Sequence, residues 1–418
     1  MFLLATAVAA TALVLWSGSP ARQTLLQPLE YFFTFQQGED SWRPMARAYD
    51  FVRTPEGRTR SLYRAHFFNP PDPHKGFQYP PTALIVVAGA RAVGGGTPLL
   101  QVLNWLFVPV IALATGLVLK RSLEREGLAG AGTAERSTLV FWCTTAVAAL
   151  TFYPALVAYR NGQIQAWLNG LFAVSLALYL KGRERPAGAL LGACALIKPQ
   201  WGVLLLWGLV RRRTGFSLSF SAVLALGALA SLLLFGLAPH VEYLEVVRYI
   251  GARGEAFYPN QSMNGLLNRL LGNGLNLEWE DTFPPPHALV QLGTHLAAAT
   301  LLATALWPPR RGAGDAFDLS LATIAATAAS PIAWEHHYGM LLPVFALLLP
   351  AVLAHAGGRR PVWLLALAYV LCSQSWRSAD RLVGTPFSVL QAYLYFGALL
   401  LMGLLVWARS RARESGPH

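Results

Sequence analysis

Apolar runs and polar breaks alternate along the whole chain, and the length of each run is its most informative property. A helical run of about 20 apolar residues matches the hydrocarbon thickness of a bilayer. By that measure candidate spans lie at roughly 1–17, 98–120, 138–154, 163–180, 217–237, 288–307, 319–333, 339–355, 361–374 and 388–407. Two further apolar stretches are too short or too interrupted. Residues 187–210 have basic residues at both ends and "KPQ" in the middle. A stretch of that length cannot cross about 30 Å of hydrocarbon twice at about 1.5 Å per residue. It predicts a helical hairpin that dips in from one side, with its tip near Lys198 and Pro199. Residues 79–93, opening with "YPP", predict a helix that enters only half-way. The pattern is that of an all-α polytopic membrane protein.

Composition agrees with the pattern. Of 418 residues 54% are apolar and 13% charged, against about 25% charged in a soluble domain. The formal net charge of +12 would suit nucleic acid, but the basic residues mark segment ends instead: "LKRSLER", "KGRERP", "RRRTG", "PPRRG", "GGRRP" and "ARSRAR". Short cytoplasmic loops facing anionic lipid carry this bias, so the expected surroundings are membrane lipids and not nucleic acid. With Lys120 and Arg121 taken as cytoplasmic, every later basic cluster and the C-terminal tail fall inside. The segments "YPALVAYRNGQIQ", 238–286, "SPIAWEHHYG" and "SQSWRSADRLVG" then fall outside. Cys143, Cys194 and Cys372 each sit in an apolar run, with neither disulfide nor metal spacing. The N-terminal run lacks a basic n-region and a good cleavage site, and is expected to remain as the first span.

Two outer loops are large, 18–78 and 238–286. In the first, Glu39 to Val52 reads as an interfacial helix, with Glu39 and Asp40 in its first turn and Pro55 and Gly57 stopping it. In the second, "FYPNQSMNGLLNRLLG" reads as an amphipathic helix with Met263, Leu266, Leu267 and Leu270 on one side. No internal repeat or low-complexity linker divides the chain, so residues 1–418 are expected to form one domain.

Candidate chemistry gathers on this outer side. Asp40 fits a general base for a hydroxyl, although an acid at a helix start also complements the macrodipole. Lys198 would be costly at mid-bilayer without a partner or purpose. A phosphate is one partner, and snorkelling to the inner surface is the alternative. Arg160 and Arg269 are either interfacial anchors or, with Lys198 and a histidine, part of a cationic cradle for a lipid phosphate. His336 and His337 are adjacent, so at most one points squarely into a site, and "EHH" lacks the spacing of metal ligands. The amides of Gln163, Asn260, Gln261 and Asn264 suit sugar hydroxyls, with Tyr79, Trp334 and Glu335 as further sugar or acceptor contacts. A carboxylate, amides and scattered cations at a membrane-embedded cavity suit an enzyme that accepts a lipid-linked phosphosugar. Such a donor needs no nucleotide pocket, and no P-loop or GxGxxG motif stands in context.

These residues resemble family 87 of the glycosyltransferases, polytopic enzymes of the GT-C class. The resemblance rests on an acid soon after the first span, here Asp40, and a helix leading to "YPP". It continues with "RNGQIQAWLNGLF", "LLGACALIKPQ", "NQSMNGLLNRL" and "SPIAWEHHYGMLLP", in that order. It implies a GT-C fold with about 10–13 membrane helices, short re-entrant helices among them, and outer loops bearing amphipathic helices. It also implies inverting transfer, most naturally of mannose, from a polyprenyl-phosphate donor to a glycolipid or glycan hydroxyl. Asp40 would be the base, and His336 and His337 would contact the donor phosphate. No metal and no cofactor are implied, and the setting would be a bacterial plasma membrane with the site facing the periplasm. Family members commonly carry asparagine where Gln165 stands here, and the first loop has a longer basic insert. A pentose donor within the same class, or a flippase for a lipid-linked glycan, are the competing readings.

Overall fold

Two helices are buried over all or nearly all of their length. Every residue of Ala316–Ala328 is buried, as are the first twelve of Leu341–His355. The computed structural model describes residues 5–6, 8–9, 11–12, 26–71, 76–128, 134–279, 283–307 and 316–414. Among them all regular structure is helical, and the expected first span at 1–17 falls mainly outside them. In chain order the helices are α1 (Leu26–Phe33), α2 (Trp42–Val52), α3 (Leu84–Ala92), α4 (Gly96–Arg125), α5 (Ala134–Leu150) and α6 (Tyr153–Arg160). Next come α7 (Gln165–Leu180), α8 (Glu184–Ile197), α9 (Val203–Val210), α10 (Thr214–Phe235), α11 (Ala238–Arg253) and α12 (Met263–Leu270). The last are α13 (Ala288–Leu306), α14 (Ala316–Ala328), α15 (Leu341–His355), α16 (Arg360–Ser373) and α17 (Tyr393–Glu414).

Among the described residues, Gly96–Arg125, Thr214–Phe235, Ala288–Leu306, Glu335–His355 and Pro386–Arg411 are long and apolar enough to cross a bilayer. Thr138–Leu150 and Tyr153–Arg160 form a sixth span if taken together, bent by 62° at their break. Pro154, in the first turn of α6, has no N–H to continue the ladder, and Val147 O accepts from both the N–H and the Oγ1 of Thr151, at 2.9 and 2.7 Å. Pro81–Ala92, Gln165–Leu180, Pro199–Val210, Ala316–Ala328 and Arg360–Ser373 are shorter apolar helices. Leucines 226, 229 and 233 of α10 and 289, 292 and 296 of α13 are exposed and face what surrounds the bundle. This is a polytopic helical membrane protein of the expected class.

The hairpin is present. Its arms begin and end at one level, since Glu184 at the start of α8 pairs with Arg213 after α9 at 2.9 Å. Between them Lys198 is extended, with φ −127° and ψ 96°, and Pro199–Gly202 forms a tight turn. Glycines let α8 lie close along α10: a Cβ at Gly188 would stand 2.3 Å from Phe216 O, and one at Gly192 2.8 Å from Phe220 O. Small residues at such contacts are how membrane helices gain packing area. Thr82, at the start of the half-entering helix, donates to Leu196 O, so the two partial insertions meet.

Three expectations need correction. The interfacial helix starts at Trp42, leaving Glu39 and Asp40 ahead of it, with Glu39 paired to Arg43 at 2.7 Å. The span expected at 319–333 ends at Ala328, because Ser330 and Pro331 break it. The apolar residues expected on one side of Met263–Leu270 do not share one environment: Leu266 is buried together with Asn264, Asn268 and Arg269, and Leu270 is exposed.

The basic segment ends gather at one end of the bundle. There Asp318 accepts from Arg409 at 2.6 Å, from Arg211 Nη2 at 3.2 Å and from Trp207 Nε1 at 3.2 Å. Arg211 also donates to the carbonyls of Ala305, Leu306 and Trp307, closing the C-terminal end of α13. Asp318→Ala would leave two arginines facing each other in a closed site, with an expected loss of about 3–5 kcal/mol. Thermal unfolding in detergent measures it; a shift indistinguishable from zero would mean that water reaches these arginines.

Candidate functional site

One wall of the site is built from backbone. Gly38 N–H donates to Arg160 O at 2.7 Å, Asp40 N–H to Asn161 O at 3.1 Å and Ser41 N–H to Gly162 O at 3.2 Å. The loop before α2 therefore lies flat on the turn joining α6 to α7. Gly162 has φ +64°, and a Cβ there would stand 1.9 Å from Gly38 O, so the "RNGQ" turn admits only glycine. Ser41, fully buried, ties three segments together. Its Oγ accepts from Ile164 N–H at 2.9 Å, donates to Gln163 Oε1 at 2.9 Å and lies 2.7 Å from the Tyr79 hydroxyl. Asp40 is half-buried beside this knot. Burial pushes the Tyr79 hydroxyl up to about 12, against the Ser41 hydrogen bond and with the nearby Asp40 carboxylate adding to the rise.

The other wall is the segment between α14 and α15, held in a clamp. Gln261 N–H donates to Ala333 O at 2.8 Å and Glu335 N–H to Pro259 O at 2.9 Å, an isolated antiparallel bridge centred on Asn260 and Trp334. Asn260 Nδ2 donates to Glu255 O at 2.9 Å and Pro331 O at 3.0 Å, and its Oδ1 accepts from Ala333 N–H at 3.0 Å. Gln261 donates to Tyr258 O and Gln391 O and accepts from Leu394 N–H. Asn264 accepts from Glu255 N–H, and Arg269 donates to Asn260 O at 2.9 Å. On the far side Gln165 donates to Asn169, which donates to His336 O at 3.2 Å. These bonds fix the turn Glu335–Met340 without using its imidazoles.

Between the walls lies a cavity of about 540 Å³. Tyr79, Gln163, Lys198, Trp334, His336 and His337 all line it, so segments far apart in sequence meet here. Lys198 Nζ lies 2.5 Å from His337 Nε2, and the two imidazoles stack edge to face with centroids 4.6 Å apart. With Lys198 as an ammonium, which only donates, His337 accepts at Nε2. The rest of the lining is mostly apolar: Val247 and Ile250 from α11, Ala298 and Leu302 from α13, and Ile332. No acidic side chain is among the described lining residues.

Other candidates stand back from the cavity. Asn260, Gln261, Asn264 and Arg269 belong to the clamp, which differs from the sugar and phosphate contacts expected of them. Glu335 accepts from the Tyr393 hydroxyl at 2.7 Å, behind the wall, with Arg377 and Arg160 as the cations acting on it. Asp40 is one residue from the lining, through Ser41. The sequence reading missed Gln78 and Gln200, although each is adjacent to a motif it had singled out, "YPP" and "KP". It also missed Glu255, a lone loop acid with no periodic signal.

Among known proteins, the family described as Glycosyltransferase family 87 matches residues 77–333. That stretch takes in Tyr79, Gln163, Lys198 and Asn260, begins after Asp40 and ends before His336. The polyprenol-phosphate-mannose-dependent alpha-(1-2)-phosphatidylinositol mannoside mannosyltransferase of Mycolicibacterium smegmatis is 34% identical over 197 residues. The alignment covers 44% of this chain and 40% of that protein, so less than half of the relative's length is spanned. No solved structure matches the chain.

Glu255 makes the clamp sensitive to pH. It accepts from Trp334 Nε1 at 2.6 Å, and burial pushes its carboxyl up to about 8 despite that bond and Arg269. A carboxyl raised on folding is protonated in the folded chain while still ionised in the unfolded one. Its contribution is therefore most favourable below the ordinary carboxylate range and falls as pH rises through about 8. Glu255→Gln keeps an acceptor for Trp334 and removes the titration. Melting temperature against pH should be flatter for the variant between about pH 4.5 and 8; parallel curves would show that Glu255 stays ionised.

Proposed function

The chain belongs to glycosyltransferase family 87, and on that premise we propose that it transfers mannose from a polyprenyl-phosphate carrier to a hydroxyl of a glycolipid or glycan acceptor. The observation that carries this reading is the lining of the cavity. Lys198 and the two histidines line it together with apolar residues of α11 and α13, and no acidic side chain is among its described lining residues. A phosphate joined to a long hydrocarbon tail needs both surfaces at once. Val247 lines the cavity and is 49% exposed on α11, which gives the tail a way out to the lipid. The relative's dependence on polyprenol-phosphate-mannose supports the same donor class.

In this reaction the acceptor oxygen attacks the anomeric carbon. The carbon–oxygen bond to phosphate breaks, its electron pair leaves with the polyprenyl phosphate, and the acceptor proton passes to the Asp40 carboxylate. One displacement inverts the anomeric centre. Phosphate is a weakly basic leaving group, so cations that hold its charge replace a general acid. One carboxylate therefore suffices, whereas glycosidases need two. Gln163 and Tyr79, tied to Ser41 beside Asp40, would contact the sugar, with Trp334 opposite. In this reading Arg160, Arg269, Asn260, Gln261, Asn264 and Glu335 shape the walls and do not touch the donor. The single domain lies in a bacterial plasma membrane, with the basic ends and the C-terminus cytoplasmic by the charge rule and the cavity opening to the periplasm.

Two variants test the roles. Asp40→Asn should lower transfer of labelled mannose by about 10²–10⁴-fold while donor binding holds; wild-type turnover would remove Asp40 from the reaction. Lys198→Met should weaken donor binding by about 10–100-fold, read as KM or by titration of the polyprenyl phosphate. Unchanged affinity would place the phosphate elsewhere. A wild-type protein active on pentosyl but not mannosyl donor would change the sugar, and one that moves lipid-linked glycan intact across a liposome would be a transporter.

A further inference from the structure

A second cavity, also of about 540 Å³, lies where α10 turns into α11 beneath the basic insert of the first loop. Arg53, Arg60, Ser61 and Glu242 line its polar side, and Leu234 and Leu237 line its base. The reaction proposed above uses none of these residues. The cavity is also walled off from the donor cavity: Glu242 faces this one while Tyr243 faces the other, and Tyr63 packs on Tyr243 with centroids 5.6 Å apart.

Its depth points to a ligand class. α10 is long and apolar enough to cross a bilayer, its leucines 226, 229 and 233 are exposed, and it ends at Phe235. Leu234 and Leu237, 55% and 66% exposed, continue that outer surface to the floor of the cavity. Arg53 and Arg60 share the lining with Leu234 and Leu237 where this candidate span ends. A molecule that places acyl chains along α10 and a phosphate among guanidiniums at its end is a phospholipid of the surrounding leaflet.

The charges narrow the class. Arg60 is already paired with Glu56, and Glu242 accepts from Ser61 at 2.8 Å. Among the described residues the charged lining is thus Arg53, Arg60 and Glu242, with Glu56 beside Arg60 but outside the cavity. A purely anionic headgroup would leave Glu242 facing a second negative charge, whereas a primary amine beside the phosphate would complement it. We propose that this cavity seats a phosphoethanolamine headgroup, with its phosphate on Arg53 and Arg60 and its ammonium on Glu242. The bound lipid would pin the insert to the end of α10 from the side away from the donor.

The test uses the full chain in nanodiscs of equal parts phosphatidylethanolamine, phosphatidylglycerol and phosphatidylcholine, with retained lipid read by native mass spectrometry. Wild type should retain the ethanolamine lipid by about fivefold over the others. Arg53→Gln with Arg60→Gln should abolish retention of all three, and Glu242→Gln should abolish the preference while keeping phospholipid bound. Should the arginine variant fail to fold, Glu242→Gln against wild type decides alone. Equal retention of the three lipids by wild type, a preference for phosphatidylglycerol, or an unchanged pattern in Glu242→Gln would overturn the proposal. The readout involves no sugar donor, so it is independent of the transfer reaction.

Discussion

The contact between Lys198 and His337 joins segments that enter the bundle from opposite ends, and much of the architecture serves to bring them together. A lysine placed deep in an apolar interior costs about 2.5–3.5 kcal/mol on insertion scales. A hairpin delivers it by keeping both basic flanks at one surface, closed by Glu184 and Arg213. Its approach along α10 needs glycine at 188 and 192, and its end needs the partner that Thr82 supplies to Leu196 O. From the opposite side the imidazoles arrive on a short 3-10 turn that leads into α15 and is held by the clamp around Asn260.

This division separates two kinds of polar residue that look alike in sequence. The amides of Asn260 and Gln261 are consumed by backbone groups that a buried loop would otherwise leave without partners. Gln163, Lys198 and the histidines instead present polar atoms to a cavity. The clamp fixes the wall, and the cavity is where the proposed chemistry would take place. A ligand-binding wall on an irregular segment holds its shape only when a second layer of bonds fixes it.

Most of the helical plan was legible in the sequence because run length and basic flanks are direct physical constraints in a bilayer. The hairpin around Lys198 followed from arithmetic alone: too few residues for two crossings, with positive charge at both ends. What escaped was decided by tertiary contact. The pattern at Met263–Leu270 placed four apolar residues on one side, yet periodicity cannot say which residues tertiary contact buries. Glu39 and Asp40 read as first-turn acids, but the backbone bonds from Gly38, Asp40 and Ser41 to the turn at 160–162 hold that stretch extended ahead of the helix. Glu255 left no trace at all, since one acid in a loop has no period and its partner Trp334 lies 79 residues away.

The separation of Lys198 from His337 has a consequence for biosynthesis. The lysine is made 139 residues before its partner, which at about 5–20 residues per second is a wait on the order of 10 s. For that interval the tip of the hairpin has no histidine to meet. The contact that joins Lys198 to His337 in the finished fold therefore forms only after the segment leading into α15 has been made.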